Sequence, residues 1–127
     1  EARSVNQFKK VTDEKVAALL PLAGNLVHLD LRNTALTSAG CATISKLTKL
    51  VHLNLRGCPI EDSGVQQLTT LKNLQSLNLG QTQVTSQGLV GLVKLPALDR
   101  LNLWESKAVV PELVRLIKVR PNLEIVR

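Results

Sequence analysis

The sequence predicts an α/β solenoid with a parallel sheet on its concave side and helices on its convex side. Two observations support this prediction. A unit of constant length recurs along the chain, with starts at 26, 50, 74 and 98, and each unit combines a strand pattern with a helix pattern. In addition, the only aromatic rings of Phe, Trp or Tyr are those of Phe8 and Trp104. The core must therefore consist of aliphatic side chains, which suits a fold that stacks the same leucine positions repeatedly.

The repeat is visible from the leucines that begin each unit. The segment LVHLDLRNTALTSAGCATISKLTK, from Leu26, aligns with LVHLNLRGCPIEDSGVQQLTTLKN, from Leu50, and both align with the segments that begin at Leu74 and Leu98. A further start, Leu123, comes one position later than the same interval would place it. We therefore expect residues 1–127 to form a single domain. Its parts are a half repeat over 1–25, four repeats that begin at 26, 50, 74 and 98, and a terminal strand over 123–127.

Each unit begins with a strand pattern and continues with a helix pattern. Apolar residues two apart, such as Leu53 and Leu55, lie on one face of a strand, whereas Val65, Leu68 and Leu71 recur at a helical spacing. The predicted strands lie near 26–31, 50–55, 74–79 and 98–103, and the segments 62–71 and 86–95 are predicted to be helical. Side-chain oxygens suited to helix N-caps come from Thr37 or Ser38, from Asp62, and from Thr85 or Ser86.

This pattern, LxxLxLxx followed by a small polar or cysteine position, an aliphatic position and Gly, resembles the leucine-rich-repeat family over nearly the whole chain. The glycines at 40, 64 and 88 are most similar to the ribonuclease-inhibitor and cysteine-containing classes of that family. The resemblance implies the same solenoid fold and a function in binding other proteins.

A narrower resemblance is carried by VTDEKVAALLPLAGNLVHLDLRNTALTSAG and by LNLWES. These segments resemble the repeat domains attached to c-type-cytochrome-like membrane proteins of planctomycetes and related bacteria. The sequence departs from that subgroup at Glu105-Ser106, where Gln-Thr is common, and at Asn102, where Tyr is common, and it has no CxxCH motif for haem. The resemblance implies a bacterial origin, an appendage of a larger protein and a location in the envelope or periplasm. Without it, a cytoplasmic location is expected.

The net charge of +6 has two interpretations. It keeps a small domain soluble, or it attracts an acidic partner such as a protein, a nucleic acid or an anionic lipid. The longest basic cluster, Arg115, Lys118 and Arg120, has helical spacing and no interleaved aromatic residues, so it fits the solvated side of a helix better than a nucleic-acid site.

No apolar run approaches the roughly 20 residues that cross a bilayer. We therefore expect a monomeric domain without a transmembrane segment, for which a nucleic-acid partner is disfavoured. Because the chain begins at Glu1 without Met, we also expect it to be part of a longer protein.

Strand residues that alternate with the core leucines are predicted to point outward on the concave side, where equivalent positions form columns. The columns are His28/His52/Ser76/Arg100, Asp30/Asn54/Asn78/Asn102 and Arg32/Arg56/Gly80/Trp104, and Asn33, Gly57, Gln81 and Glu105 follow at the rim. The candidate partner-binding residues are His28, Asp30, Arg32, His52, Asn54, Arg56, Asn78, Arg100, Asn102 and Trp104. For the Asp/Asn column, a purely structural role in hydrogen bonding is the alternative. Trp104 is the strongest candidate, because Trp and Arg are enriched among the residues that dominate binding energies.

Neither a metal site nor an active site is predicted. His28 and His52 share a column close to Asp30, but the next two members are Ser76 and Arg100, whereas zinc needs three or four ligands. No nucleophile elbow or phosphate-binding glycine loop is present, so the chain is predicted to be neither an enzyme nor a cofactor-binding protein. The favoured function is a protein-interaction module that binds an unidentified partner on its concave face. The alternatives are a spacer in a membrane-bound cytochrome-like protein, and binding of an anionic polymer through Arg32, Arg56 and Arg100.

Both cysteines are predicted to be structural. Cys41 shares a helix column with Val65 and Leu89, and Cys58 belongs to the column Thr34/Cys58/Thr82/Ser106, which faces the turn backbone. We therefore expect both thiols to be reduced and shielded, with no disulfide between them.

Overall fold

Five short parallel strands lie side by side in the order in which they occur along the chain. The structure is a computed structural model, and it describes residues 11–108 and 110–127. The strands are β1 (His28–Asp30), β2 (His52–Asn54), β3 (Ser76–Asn78), β4 (Arg100–Asn102) and β5 (Glu124–Val126), and they form one sheet in the order β1-β2-β3-β4-β5. Phe8 and the rest of residues 1–10 of the predicted half repeat lie outside the described residues.

The register of β1 to β4 follows the sequence repeat, whereas β5 pairs one residue earlier than a unit that starts at Leu123 would place it, with Ile125 opposite Leu101. His28 lies opposite His52, His52 opposite Ser76, Ser76 opposite Arg100, and Arg100 opposite Glu124. The regular ladder is shorter than predicted, with three residues in each strand, but hydrogen bonds between repeats continue beyond it. Leu31 N donates to Asn54 O at 2.8 Å, and Val51 N donates to Val27 O at 2.7 Å. The parallel α/β solenoid predicted from the repeat is therefore confirmed.

The convex side consists of short helical segments. The α-helices are α1 (Asp13–Val16), α2 (Cys41–Ile44), α3 (Asp62–Gln67) and α4 (Val110–Val119), and the 3₁₀ segments are Ala17–Leu22, Ser38–Gly40, Leu68–Thr70 and Ser86–Lys94. The predicted helix over 86–95 is thus a 3₁₀ helix. It occupies as many residues as the equivalent stretch of the preceding repeat, where α3 is followed by the 3₁₀ segment Leu68–Thr70.

The core lies between the sheet and these segments, and it is built from the predicted leucine columns. The innermost members, Leu53 and Leu77, are 2% and 1% exposed, and Leu55 and Leu79 are fully buried. Burying one leucine completely contributes roughly 1.5–3 kcal/mol. Val16 of α1 and Leu116 of α4 extend the core over the two ends of the stack.

Two of the three predicted helix caps are confirmed, and the third is wrong. The hydroxyls of Thr37 and Thr85 each accept a hydrogen bond at 3.3 Å, from Ala39 N and Gln87 N. Asp62, in contrast, is the first residue of α3 and does not cap it. Its carboxylate accepts hydrogen bonds from Thr85 N, at 2.7 Å, and from the Thr85 hydroxyl. The reason is that the starts of successive helices are stacked, so a carboxylate one residue inside a helix reaches the start of the next.

Both cysteines are free and buried, as predicted. Cys58 Sγ donates to Leu31 O at 3.0 Å and lies 3.2 Å from the hydroxyl of Thr34. In the same column, the hydroxyl of Thr82 donates to Leu79 O at 2.7 Å. Cys58 and Thr82 therefore satisfy carbonyl groups of the turns that follow β1 and β3.

Candidate partner-binding surface

The ten candidate residues lie on the concave side, on the strands and on the turn that follows each strand. The alternation that buries Leu29 and Leu53 turns the residues on either side of each leucine outward. Five candidates are exposed and five are half-buried. The exposed ones are His28, Arg32, His52, Arg100 and Trp104, and the half-buried ones are Asp30, Asn54, Arg56, Asn78 and Asn102.

The Asp/Asn column has a structural role in the turns. Each side-chain oxygen accepts a hydrogen bond from the backbone N–H two residues later, at 2.9 to 3.1 Å, and the donors are Arg32, Arg56, Gly80 and Trp104. The next residue of each turn has a positive φ, namely 58° at Asn33, 75° at Gly57, 53° at Gln81 and 57° at Glu105. Side-chain oxygens of Asp and Asn favour such turns because they replace backbone acceptors. These bonds run within each repeat and not along the ladder.

Arg56 and Trp104 are in contact, although they are two repeats apart. The guanidinium carbon of Arg56 lies 4.9 Å from the centre of the Trp104 ring, within the range of a cation–π interaction. Arg56 Nε also donates to Gln81 Oε1 at 3.2 Å, and Gln81 Nε2 donates to Glu105 Oε1 at 2.9 Å. Gly80, the column member between them, has no side chain, so Arg56 extends across β3 to the ring. The pair forms a pre-positioned aromatic and cationic surface, which we call the Arg56–Trp104 pair.

Arg32 is also less available than the sequence suggested. Its Nε lies 3.4 Å from Asp30 Oδ2, and both side chains are partly exposed. An exposed ion pair of this kind stabilises a protein by about 0–1 kcal/mol, so a partner can compete for it. Arg32 and Arg56, which are both candidate binding residues, therefore already have partners within the chain.

The centre of the concave face holds a depression of about 400 Å³. Its lining residues are His28, His52, Leu53, Asn54, Ser76, Leu77, Asn78, Arg100 and Asn102. The rings of His28 and His52 lie 5.6 Å apart, tilted by 52°. Within 11–108 and 110–127, no group of three or more His, Cys, Asp or Glu side chains could hold a metal ion.

A second depression, of about 290 Å³, adjoins the first. It is lined by Arg56, Asn102, Trp104 and Val126, and Asn102 lines both depressions. Val126 was not among the predicted surface residues, and Gln81 and Glu105 were predicted only at the rim. The alignment of the repeats could have found Gln81, because it directly follows Gly80, the residue equivalent to Arg56 in the next repeat.

On the convex side, the basic cluster of the last helix is only partly a solvated face. Arg115 and Lys118 are exposed, but Arg120 N and its side chain are hydrogen-bonded. Its guanidinium donates to Leu95 O at 2.7 Å and to Leu98 O at 2.6 Å. The expectation for Arg120 was wrong because the residue lies just past α4, where its side chain reaches carbonyl groups at the end of the preceding repeat and at the start of its own.

Comparison with known proteins identifies the repeat. A family model described as Leucine Rich repeat matches residues 46–68 and 70–93. No curated protein matches the chain by sequence.

Three solved structures show what the fold is similar to. Actin-binding site 2 of leiomodin-1 has a TM-score of 0.72 at 13% identity, over 89% of this chain and 77% of that one. A leucine-rich-repeat protein of Leptospira interrogans has a TM-score of 0.50 at 21% identity, over 84% of this chain and 38% of that one. An internalin of Listeria monocytogenes has a TM-score of 0.54 at 17% identity, over 84% of this chain and 36% of that one.

The chain thus spans little more than a third of the length of the two bacterial structures. These matches do not test the narrower resemblance to repeat domains of cytochrome-like membrane proteins, which stays a prediction. No helix among the described residues is long and apolar enough to span a membrane. The parallel sheet and the structural matches show that the chain is an α/β solenoid whose fold is similar to that of leucine-rich-repeat proteins.

Proposed function

We propose that this chain is a protein-interaction module that holds its partner on the concave face. The Arg56–Trp104 pair is the observation that carries the proposal. Trp104 is the one tryptophan of the chain, and its side chain stays 43% exposed beside a depression instead of packing in the core. A large ring that is exposed on a rigid sheet buries much apolar area at a low entropic cost when a partner covers it.

The guanidinium of Arg56 supports the same conclusion. The Trp104 ring and Gln81 hold it in place, so less side-chain entropy is lost when a partner binds. Gln81 in turn bonds Glu105, which links three successive repeats into one surface. Pre-organisation of this kind favours recognition of a folded or extended protein surface over a transient electrostatic contact.

Catalysis has less support from the same surface. Ser76 lies in register beside His52, but no hydrogen bond joins the two side chains within the described part of the chain. A nucleophilic serine needs a base within hydrogen-bond reach and a third group that orients the base. The depression also contains no carboxylate that could act as this third group. The likeness to actin-binding site 2 of leiomodin-1, at 13% identity, bears on the fold alone.

The test is a capture experiment with a matched control. We expect the wild-type chain to capture a partner from an extract of its source, and the double variant Trp104→Ala with Arg56→Ala to lose it. The control variant replaces Lys46, Lys72 and Lys94 with Gln, since these exposed lysines lie outside the strands. The control removes three charges and should leave capture largely unchanged.

Two outcomes would contradict the proposal. If the lysine variant alone abolishes capture, the partner binds outside the concave face. If no partner is captured in any condition, including after chemical cross-linking, the chain is better explained as a spacer in a larger protein.

A further inference from the structure

We propose that the partner presents an extended acidic segment, and that its carboxylates bind in the central depression between the His28–His52 pair and Arg100. This inference rests on the proposed function, and it adds the chemistry of the partner. It starts from the charges that line the depression of about 400 Å³.

The lining of the depression is rich in hydrogen-bond donors and includes one cation, Arg100. Two imidazoles, the hydroxyl of Ser76 and the guanidinium of Arg100 are present, together with three asparagines, and no carboxylate is among the lining residues. The oxygens of those asparagines already accept backbone hydrogen bonds, so their amide N–H groups are the atoms left to bind. A ligand that fits this lining must supply acceptors, and carboxylates form the strongest such bonds with arginine.

Arg100 is the cation that the concave face leaves for a partner. Arg32 is paired with Asp30, and Arg56 is held by Trp104 and Gln81. Arg100 is exposed and makes no ion pair with any residue of the described ranges. An unpaired arginine that faces a depression is suited to bind a carboxylate from outside the chain.

Glu124 provides an internal check on this inference. It is exposed, lies in register with Arg100 on the neighbouring strand, and does not line the depression. The side chains of Arg100 and Glu124, both within the described ranges, make no ion pair with each other. In solution, however, a carboxylate this close competes with an acidic ligand for Arg100, so its removal should strengthen binding.

The spacing between the histidine pair and Arg100 indicates the form of the segment. Adjacent strands lie about 4.8 Å apart, so the midpoint of the histidine pair is about 12 Å from the strand of Arg100. An extended chain rises about 3.3 Å per residue, and residues four apart lie on one face about 13 Å from each other. Two carboxylates four residues apart, in a segment that crosses the strands, therefore match the site.

A nucleic acid fits the same surface less well. Sequence-tolerant binding of single strands uses aromatic rings on which bases stack, and the Arg56 guanidinium already lies over the Trp104 ring. Glu124 lies in register with Arg100 on the neighbouring strand, so a phosphate backbone that continued across the strands would meet a like charge there.

The experiment uses the whole chain and three fluorescent octapeptides, with anisotropy as the readout. The first peptide has glutamates at its second and sixth positions among serines and threonines, the second has glutamines there, and the third has two adjacent glutamates. We expect the first to bind most tightly. Arg100→Gln should weaken it about tenfold or more, the loss typical of one charged hydrogen bond. Glu124→Gln should strengthen it by about two- to fivefold, the size of a surface charge effect.

Misfolding cannot produce tighter binding of the peptide. The Glu124→Gln variant therefore tests the inference even if Arg100→Gln is destabilised. The Lys46, Lys72 and Lys94 variant is the control for net charge and should bind the first peptide as the wild type does. Equal binding of the glutamate and glutamine peptides, no effect of Arg100→Gln, or no binding at millimolar peptide would each overturn the inference. So would tighter binding of an oligothymidylate with a steep salt dependence. If the peptides fail while partner capture still depends on Trp104 and Arg56, the interaction module stands and only the acidic segment is wrong.

Discussion

Single residues in this chain owe their roles to their position within the repeat. Cys41 and Cys58 illustrate this, because both thiols are buried yet have different surroundings. Cys58 is hydrogen-bonded to a turn carbonyl and to Thr34, whereas Cys41 lies in the core, with its sulfur 3.1 Å from the position that a Cβ on Gly64 would occupy. Burial raises the pKa of the Cys41 thiol to about 12 and also raises the pKa of Cys58. Because the thiolate is the reactive form, both cysteines should be inert in the folded protein.

The raised pKa of Cys41 predicts a loss of stability in alkaline solution. The thiol ionises at about 8.5 when unfolded and at about 12 when folded, so the unfolded state loses its proton first. The contribution to stability is therefore fully present below about pH 8.5 and is lost progressively as the pH rises towards 12. The expected slope is about 1.4 kcal/mol per pH unit from this group.

Urea denaturation between about pH 8 and about pH 10.5 measures this slope. The variant Cys41→Ala should lose less stability over that interval than the wild type does. Equal slopes in the two proteins, or rapid labelling of the native thiols by a thiol reagent, would contradict the assignment.

At the scale of elements, successive helical segments are joined where each one begins. Asp13 of α1 accepts a hydrogen bond from Thr37 N at 2.8 Å, and Asp62 of α3 accepts one from Thr85 N at 2.7 Å. The same carboxylates explain two of the recurring glycines. A Cβ added to Gly40 or Gly88 would lie 2.4 Å from Asp13 Oδ1 or Asp62 Oδ1, closer than real side chains approach. The glycine therefore leaves room for the carboxylate of the preceding repeat.

Gly88→Ala should destabilise the protein, and Asp62 should determine how much. In the wild type we expect a loss of about 1–3 kcal/mol, because the new methyl group displaces the carboxylate from Thr85. In the background Asp62→Ala the same change should cost less, since the carboxylate is already absent. A double-mutant cycle by urea denaturation measures the coupling between the two positions.

The matched control is Gly24→Ala, because no atom lies within 4 Å of a Cβ at that position. It should change the stability little. Additive losses for Gly88→Ala and Asp62→Ala would show that the two residues act independently, which would contradict the proposed packing between repeats.

At the scale of the whole molecule, the stability is a sum over interfaces between neighbouring repeats. Leu53 and Leu77 belong to β2 and β3, each of which has a paired strand on both sides, and they are almost completely buried. Leu123 precedes β5, the last strand of the sheet, and is 8% exposed. These three leucines thus differ in how many repeats surround them.

Truncation of these leucines should reflect the difference. Leu53→Ala and Leu77→Ala should each cost roughly 2–5 kcal/mol, because each leaves a cavity between two repeats. Leu123→Ala should cost less, since its surroundings can relax on the open side. Chemical denaturation of the three variants provides the comparison, and equal losses at all three positions would argue against stability by stacking.

The constant period of the repeat by itself determined most of the fold. In a solenoid each residue packs against its equivalent in the next repeat, so the period predicts the pairs of contacts directly, such as His28 with His52 and Leu53 with Leu77. The buried columns, the outward columns and the shielded cysteines follow from those pairs. The same period placed the ten candidate residues on one face, while their role in binding stays a prediction.

Tertiary structure alone decided the contacts that depart from the period. Arg56 reaches Trp104, two repeats further along the chain, because Gly80 leaves the column empty between them. Arg120 reaches the carbonyl groups of Leu95, in the preceding repeat, and of Leu98, at the start of its own repeat. Such contacts depend on side-chain length, rotamer and the free volume beside each group, and these quantities are set only when neighbouring repeats have packed together.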